Sequence, residues 1–113
     1  MTTKEKSLIY TTLTKIKPLG YFKGFPLLVT TLETILDGKK LDYDLTNEIF
    51  PVVAQIHNCN PKNIERNIRT LILNIDTTKL FNLTNVSPTE NITVKAFIDI
   101  LRTYIVFSKQ LSL

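Results

Sequence analysis

Apolar residues recur at helical spacing along most of the chain, and the alternation that marks a half-buried strand is nearly absent. Leu8, Ile9, Thr12, Leu13 and Ile16 predict a first helix, stopped before Pro18 and Gly20. Gly24 and Pro26 open a second apolar stripe through Leu28, Val29, Leu32, Ile35 and Leu36. Asp37-Gly38 closes it, with Gly38 placed as a C-terminal cap. Lys39 to Asp44 reads as a polar connection. A third helix is predicted from about Leu45 to Asn58, burying Ile49, Val52, Val53 and Ile56. Pro51 conflicts with a straight helix there, because an interior proline costs ~3 kcal/mol. It must sit in the first turn or impose a kink.

The segment from Asn60 to Arg69 begins the fourth helix. Asn60 is a good N-cap, and Pro61 suits the first helical position, where its missing N–H costs nothing. At ~100° per residue, Lys62, Glu65, Arg66 and Arg69 fall on one face, and Ile64, Ile68, Leu71, Ile72 and Ile75 on another. Leu73 projects toward the polar side by the same count. The short turn Asn58-Cys59-Asn60 between two amphipathic helices is a helix-turn-helix arrangement. Asp76 to Phe81 predicts a brief fifth helix, and Asn82 to Asn91 a polar loop containing Pro88. Thr93 then caps a last helix through Phe107, with Val94, Phe97, Ile98, Leu101, Tyr104 and Ile105 on one face. Ile100, Val106 and Phe107 widen its apolar surface, so this helix is either central to the core or shares its outer side with a second protomer. The expected fold class is all-α, a six-helix bundle containing a helix-turn-helix, in one domain over residues 1–113.

The bulk numbers agree with one ordinary domain. The chain has 113 residues, 43% of them hydrophobic, and a chain of this size buries roughly two-thirds of its unfolded surface. A single cysteine permits no intrachain disulfide and argues against a cysteine-based metal site. Met1 to Lys17 lacks the features of a signal peptide, and no stretch approaches the ~20 apolar residues of a membrane helix. A soluble, cytoplasmic protein without membrane partners is expected. The net charge of +4 permits an anionic partner without demanding one. Distribution is more informative: Asp37, Asp42, Asp44 and Glu48 cluster in the first half, whereas two of the three arginines stand on the fourth helix.

That helix carries the candidate chemistry. Arg66 and Arg69 are each suited to bidentate bonds with guanine in a DNA major groove. Glu65 can accept from cytosine N4, orient a neighbouring arginine, or simply form an i,i+4 ion pair with Arg69. Asn60, Lys62, Asn63, Lys23 and Lys79 are the candidate phosphate contacts. A single domain with so few cations is expected to bind non-specific DNA at roughly 10⁻⁴ to 10⁻⁶ M, so useful affinity calls for two copies on adjacent sites or tethering to another protein. Catalysis is not expected. His57 and Cys59, the only residues of their kinds, lie two apart at a helix end and read as a surface histidine and a partly buried turn cysteine. The three glycines stand isolated, so there is no phosphate-binding loop. No cofactor or metal is implied. The sequons Asn82-Leu83-Thr84 and Asn91-Ile92-Thr93 are irrelevant in a cytoplasmic protein.

Several dispersed segments, in order, resemble the C-terminal DNA-binding effector domain of the stage-zero sporulation response regulators (the stage zero sporulation protein A family). They are Phe22-Lys23-Gly24-Phe25, Ile49-Phe50-Pro51, Asn60-Pro61 through Arg69, Ile75-Asp76-Thr77-Thr78-Lys79-Leu80-Phe81 and Ala96-Phe97-Ile98. The resemblance covers roughly Ser7 to Phe107. It implies a six-helix bundle whose recognition helix, here about 61–74, reads a short DNA box, with Glu65, Arg66 and Arg69 at the base-contacting positions. It also implies head-to-tail pairing on tandem boxes through the last helix, where Phe97, Leu101, Tyr104 and Ile105 are the candidate interface. Thr70 departs from the histidine common at that place, and the stretch from Leu71 to Ile75 is shorter than its counterpart. The chain is expected to lack the family's receiver domain and its phosphorylation control. The alternative reading is a protein-interaction module or antagonist that pairs with a full-length sporulation regulator through its last helix.

Overall fold

A computed structural model describes residues 3–38, 42–86 and 92–111, and every regular element among them is helical. Helix α1 spans Thr3–Ile16, α2 Gly24–Gly38, α3 Phe50–His57, α4 Pro61–Leu73, α5 Thr77–Thr84 and α6 Val94–Leu111; a π-helical turn, Leu45–Ile49, runs directly into α3. The fold is the expected all-α bundle of six helices.

Helices α2 and α4 form its centre. Leu28 and Leu32 of α2 and Ile64, Ile68 and Leu71 of α4 are fully buried, as are Phe97, Ile98 and Leu101 of α6. Helix α1 packs on α2, α5 and α6 and adds Ile9, Leu13 and Ile16 to the same core. Gly24 brings the start of α2 against the backbone of α4. A Cβ placed on it would lie 2.2 Å from the backbone oxygen of Asn67 and 2.8 Å from its carbonyl carbon. Only a residue without a side chain lets the start of α2 rest on the backbone of α4.

The third helix departs from a straight run between Leu45 and Asn58. The Asp44 carboxylate caps the segment, accepting the Asn47 backbone N–H at 3.1 Å and its side-chain amide at 2.8 Å. The following turn is widened, with the Phe50 N–H bonding to the carbonyl of Leu45 five residues back. Pro51 then occupies the first turn of α3. A proline ring clashes with the carbonyl four residues before it in a regular helix, and a widened turn moves that carbonyl away. The extra residue also rotates whatever follows. Phe50, Val53 and Ala54 consequently face the core, whereas Val52 and Ile56 are 43% and 62% exposed. This corrects the expectation that both are buried.

The bonds from the Asn47 side chain and backbone hold the Asp44 carboxyl below its ordinary value. A carboxyl lowered in the folded state contributes stability above its unfolded pKa, and the contribution is lost as pH falls through the folded pKa. Asp44→Asn preserves a good capping residue and removes the titration. The variant is therefore expected to melt somewhat below the parent at neutral pH and to converge with it on acidification, losing less stability over that range. Thermal melts across the carboxylate range check this; equal acid sensitivity in the two proteins contradicts it.

Two further corrections concern connections. Helix α5, capped by Asp76 through the Thr78 N–H at 2.8 Å, continues past Phe81 to Thr84. Asn82 to Thr84 are thus helical and not the start of a loop, and the helix ends at Asn85 in the left-handed conformation, φ 60°. Residues 87–91, which include Pro88 of the predicted loop, lie outside the described residues, as do 39–41 of the predicted polar connection. In the described part of that connection, Tyr43 is buried. Its hydroxyl donates to Asp99 Oδ1 on α6, and the Lys95 ammonium lies 3.6 Å from the ring centroid and 3.3 Å from the same carboxylate oxygen. Burial first, and then the Asp99 bond, push the Tyr43 phenol above its ordinary value. Helix α6 begins as predicted, with Thr93 Oγ1 accepting the Ala96 N–H at 3.0 Å.

Candidate nucleic-acid interface

Helices α3 and α4 are joined by Asn58, Cys59 and Asn60, and each helix end is satisfied within those three residues. Asn58 adopts φ 54°, ψ 53°, a left-handed conformation that asparagine tolerates better than most residues. Its N–H reaches the carbonyls of Ala54 and Gln55, and the Cys59 N–H donates to Ala54 at 2.9 Å, closing α3. Asn60 Oδ1 accepts the Lys62 N–H at 2.9 Å and opens α4, while Pro61 has no N–H to leave unpaired. A turn so short and so completely bonded fixes the angle between the helices.

The inner face of α4 supplies Ile64, Ile68 and Leu71 to the core. The outer face presents Lys62, Arg66, Arg69 and Leu73, all exposed. Both arginines are held along the helix surface. Arg66 Nη2 donates to Asn63 Oδ1 at 2.9 Å, and Arg69 forms an ion pair with Glu65. The i,i+4 pair weighed from sequence is therefore present in the free protein. Such pairs stabilise a helix by only ~0.2–0.5 kcal/mol, well below the ~1–3 kcal/mol of a bidentate guanine contact. The pair holds Arg69 along the helix but is weak enough to be exchanged for a stronger acceptor.

Residues 9–105 match the family described as Sporulation initiation factor Spo0A C terminal. The chain belongs to this family. No curated protein matches it. The C-terminal domain is the DNA-binding effector of the Spo0A family, and the matched span contains the whole of α3, the turn and α4.

The Spo0A-type fold gathers most of the residues singled out from sequence. Asn60, Lys62, Asn63, Glu65, Arg66 and Arg69 lie on α4 or at its start. Asn60 and Asn63 already use their side-chain oxygens, one as the helix cap and the other as acceptor for Arg66. Lys23 is exposed and directly precedes Gly24, so the α2–α4 contact brings it to the flank of α4. Lys79 is exposed on α5, which packs against α1 and α6. The candidate interface on α6 requires correction. Phe97, Leu101 and Ile105 are buried within the protomer, leaving Tyr104 as the one member that is partly exposed.

Sequence reasoning missed the acidic flank. An open cleft of about 690 Å³ borders Glu65 and Arg69, and Asp42, Asp44 and Glu48 line its other side together with Lys95. The clustering of acids was visible in the sequence, but not that Asp42, Asp44 and Glu48 line the same cleft as Glu65 and Arg69 of α4. At the end of α3, His57 is exposed and its Nε2 lies 2.7 Å from Thr30 Oγ1 on α2. Cys59 is exposed, correcting the expectation of a partly buried thiol. Among the described residues, no helix is long and apolar enough to cross a membrane.

Proposed function

We propose that this protein is a sequence-specific DNA-binding transcriptional regulator that inserts α4 into the major groove. The observation that carries the reading is the outward row of Lys62, Arg66 and Arg69 on a helix whose opposite face is fully buried. A rigidly seated helix with pre-ordered arginines meets the geometric requirement for reading base edges. Arg66 and Arg69 bond guanine, Glu65 orients Arg69 or accepts from cytosine, and Lys62 and Lys23 meet phosphates. Lys79 is assigned to phosphate on charge alone. The acidic cleft beside Glu65 disfavours DNA on that side and restricts the approach to the outer face of α4.

Pairing of two copies on tandem sites is the second part of the proposal. A groove of about 470 Å³ between the end of α5 and α6, lined by Leu83, Val86, Ile100, Tyr104 and Phe107, supports an apolar contact through the outer side of α6. The same groove favours the other reading, in which the chain acts as an interaction module or antagonist of a full-length relative. Selection from a random duplex library, then sedimentation on duplexes carrying one and two selected sites, separates these readings. The expected result is salt-dependent, sequence-dependent binding, with one protein on the single site and two on the tandem duplex. A strictly one-protein complex on the tandem duplex excludes pairing. Retained binding to a relative without any duplex binding supports the interaction module.

A further inference from the structure

The outer face of α4 changes character beyond Arg69. Thr70 Oγ1 donates to the Arg66 carbonyl at 3.1 Å, and Asn74 Nδ2 donates to the Thr70 carbonyl at 2.8 Å. Both polar side chains are thus turned back onto their own helix. The group projecting outward from this end is Leu73, 79% exposed and the most exposed large apolar residue among the described helical side chains. It stands seven residues after Arg66 and four after Arg69. At ~100° and ~1.5 Å per residue it therefore shares their azimuth, about 10 Å beyond Arg66 along the axis. A homeodomain recognition helix reads bases across a span of this size. The major groove offers one apolar group for such a side chain, the C5-methyl of thymine.

We infer that Leu73 is a specificity-determining residue that packs on a thymine methyl next to the base pairs engaged by Arg66 and Arg69. The inference rests on the assignment of α4 as the recognition helix. It makes the outer end of the reading surface apolar, so the preferred site carries thymine at a fixed offset from its guanines.

Replacing thymines of the selected duplex one at a time by deoxyuridine deletes only the methyl group and provides the test. Wild type is expected to lose about fourfold in affinity at one thymine, the worth of one buried methyl. Leu73→Ala is expected to bind the parent duplex at least that much more weakly and to show no further loss at the same position. Leu73→Met, which keeps an apolar tip, should restore the sensitivity. Leu73 is exposed, so these variants retain the fold. Identical deoxyuridine profiles for wild type and Leu73→Ala overturn the inference while arginine-dependent binding still upholds the recognition helix. A flat profile, with Leu73→Ala impairing only tandem-site pairing, overturns it in favour of a protein contact. Loss of arginine dependence on the parent duplex removes both.

Discussion

Arg66→Ala and Arg69→Ala are each expected to weaken binding to the selected duplex by roughly 5- to 150-fold, the equivalent of ~1–3 kcal/mol per bidentate contact. The two variants should not be equal. Arg66 leans on neutral Asn63, whereas Arg69 neutralises Glu65 at the edge of a cleft that also contains Asp44 and Glu48. In the proposed complex, removing Arg69 leaves the Glu65 carboxylate without its ion-pair partner beside the DNA, and like-charge juxtaposition at an interface costs affinity beyond the lost contact. Arg69→Ala is therefore the more damaging, and adding Glu65→Gln to it is expected to recover part of the loss. Lys62→Ala should weaken selected and scrambled duplexes alike, reducing the salt slope by about one. Fluorescence anisotropy titrations on both duplexes at several salt concentrations distinguish these patterns. Arginine variants that match wild type on both duplexes rule out base reading by this face.

Gly24→Ala is expected to destabilise the bundle far more than the same change at Gly38. The new carbon would sit 2.2 Å from the Asn67 carbonyl oxygen, a backbone atom that cannot swing aside as a side chain does. Relief requires shifting α2 against α4, and overpacking of this kind typically costs ~1–3 kcal/mol. For a domain of this size that corresponds to a fall in melting temperature of roughly 5–15 °C. Gly38→Ala is the matched control, because a Cβ at Gly38 meets nothing within 4 Å. That substitution, at the last residue of a helix, should be neutral or slightly stabilising. Calorimetric scans of the two variants and the parent settle the comparison; coincident melts for Gly24→Ala and the parent contradict the tight backbone contact.

Where the sequence followed a regular period, it could be read directly. The Ile64, Ile68, Leu71 stripe and the Asn60-Pro61 start define α4 because a capped, uninterrupted helix obeys a 3.6-residue repeat. The same logic misplaced Val52 and Ile56, since the π-helical turn changes the phase before α3 begins and Pro51 alone does not show by how much. Tyr43 was invisible for another reason. One aromatic among charged neighbours has no period, and its burial depends on Asp99 and Lys95 some fifty residues away. The α6 residues were correctly recognised as one apolar face, but a pattern of apolar positions cannot distinguish a face turned to the core from one turned to a partner. The Phe22 to Phe25 segment stands out as a unit only through its resemblance; the contact between Gly24 and Asn67 gives it a physical reason.

The seat of α4 is made by a glycine against its backbone and by aliphatic side chains on its hidden side, with nothing contributed to the core by positions 62, 66, 69 and 73. In the proposed reading, holding α4 in place and contacting DNA therefore fall to separate residues. The outward row is thus open to substitution without disturbing the bundle, and a change of target sequence would require no change of architecture.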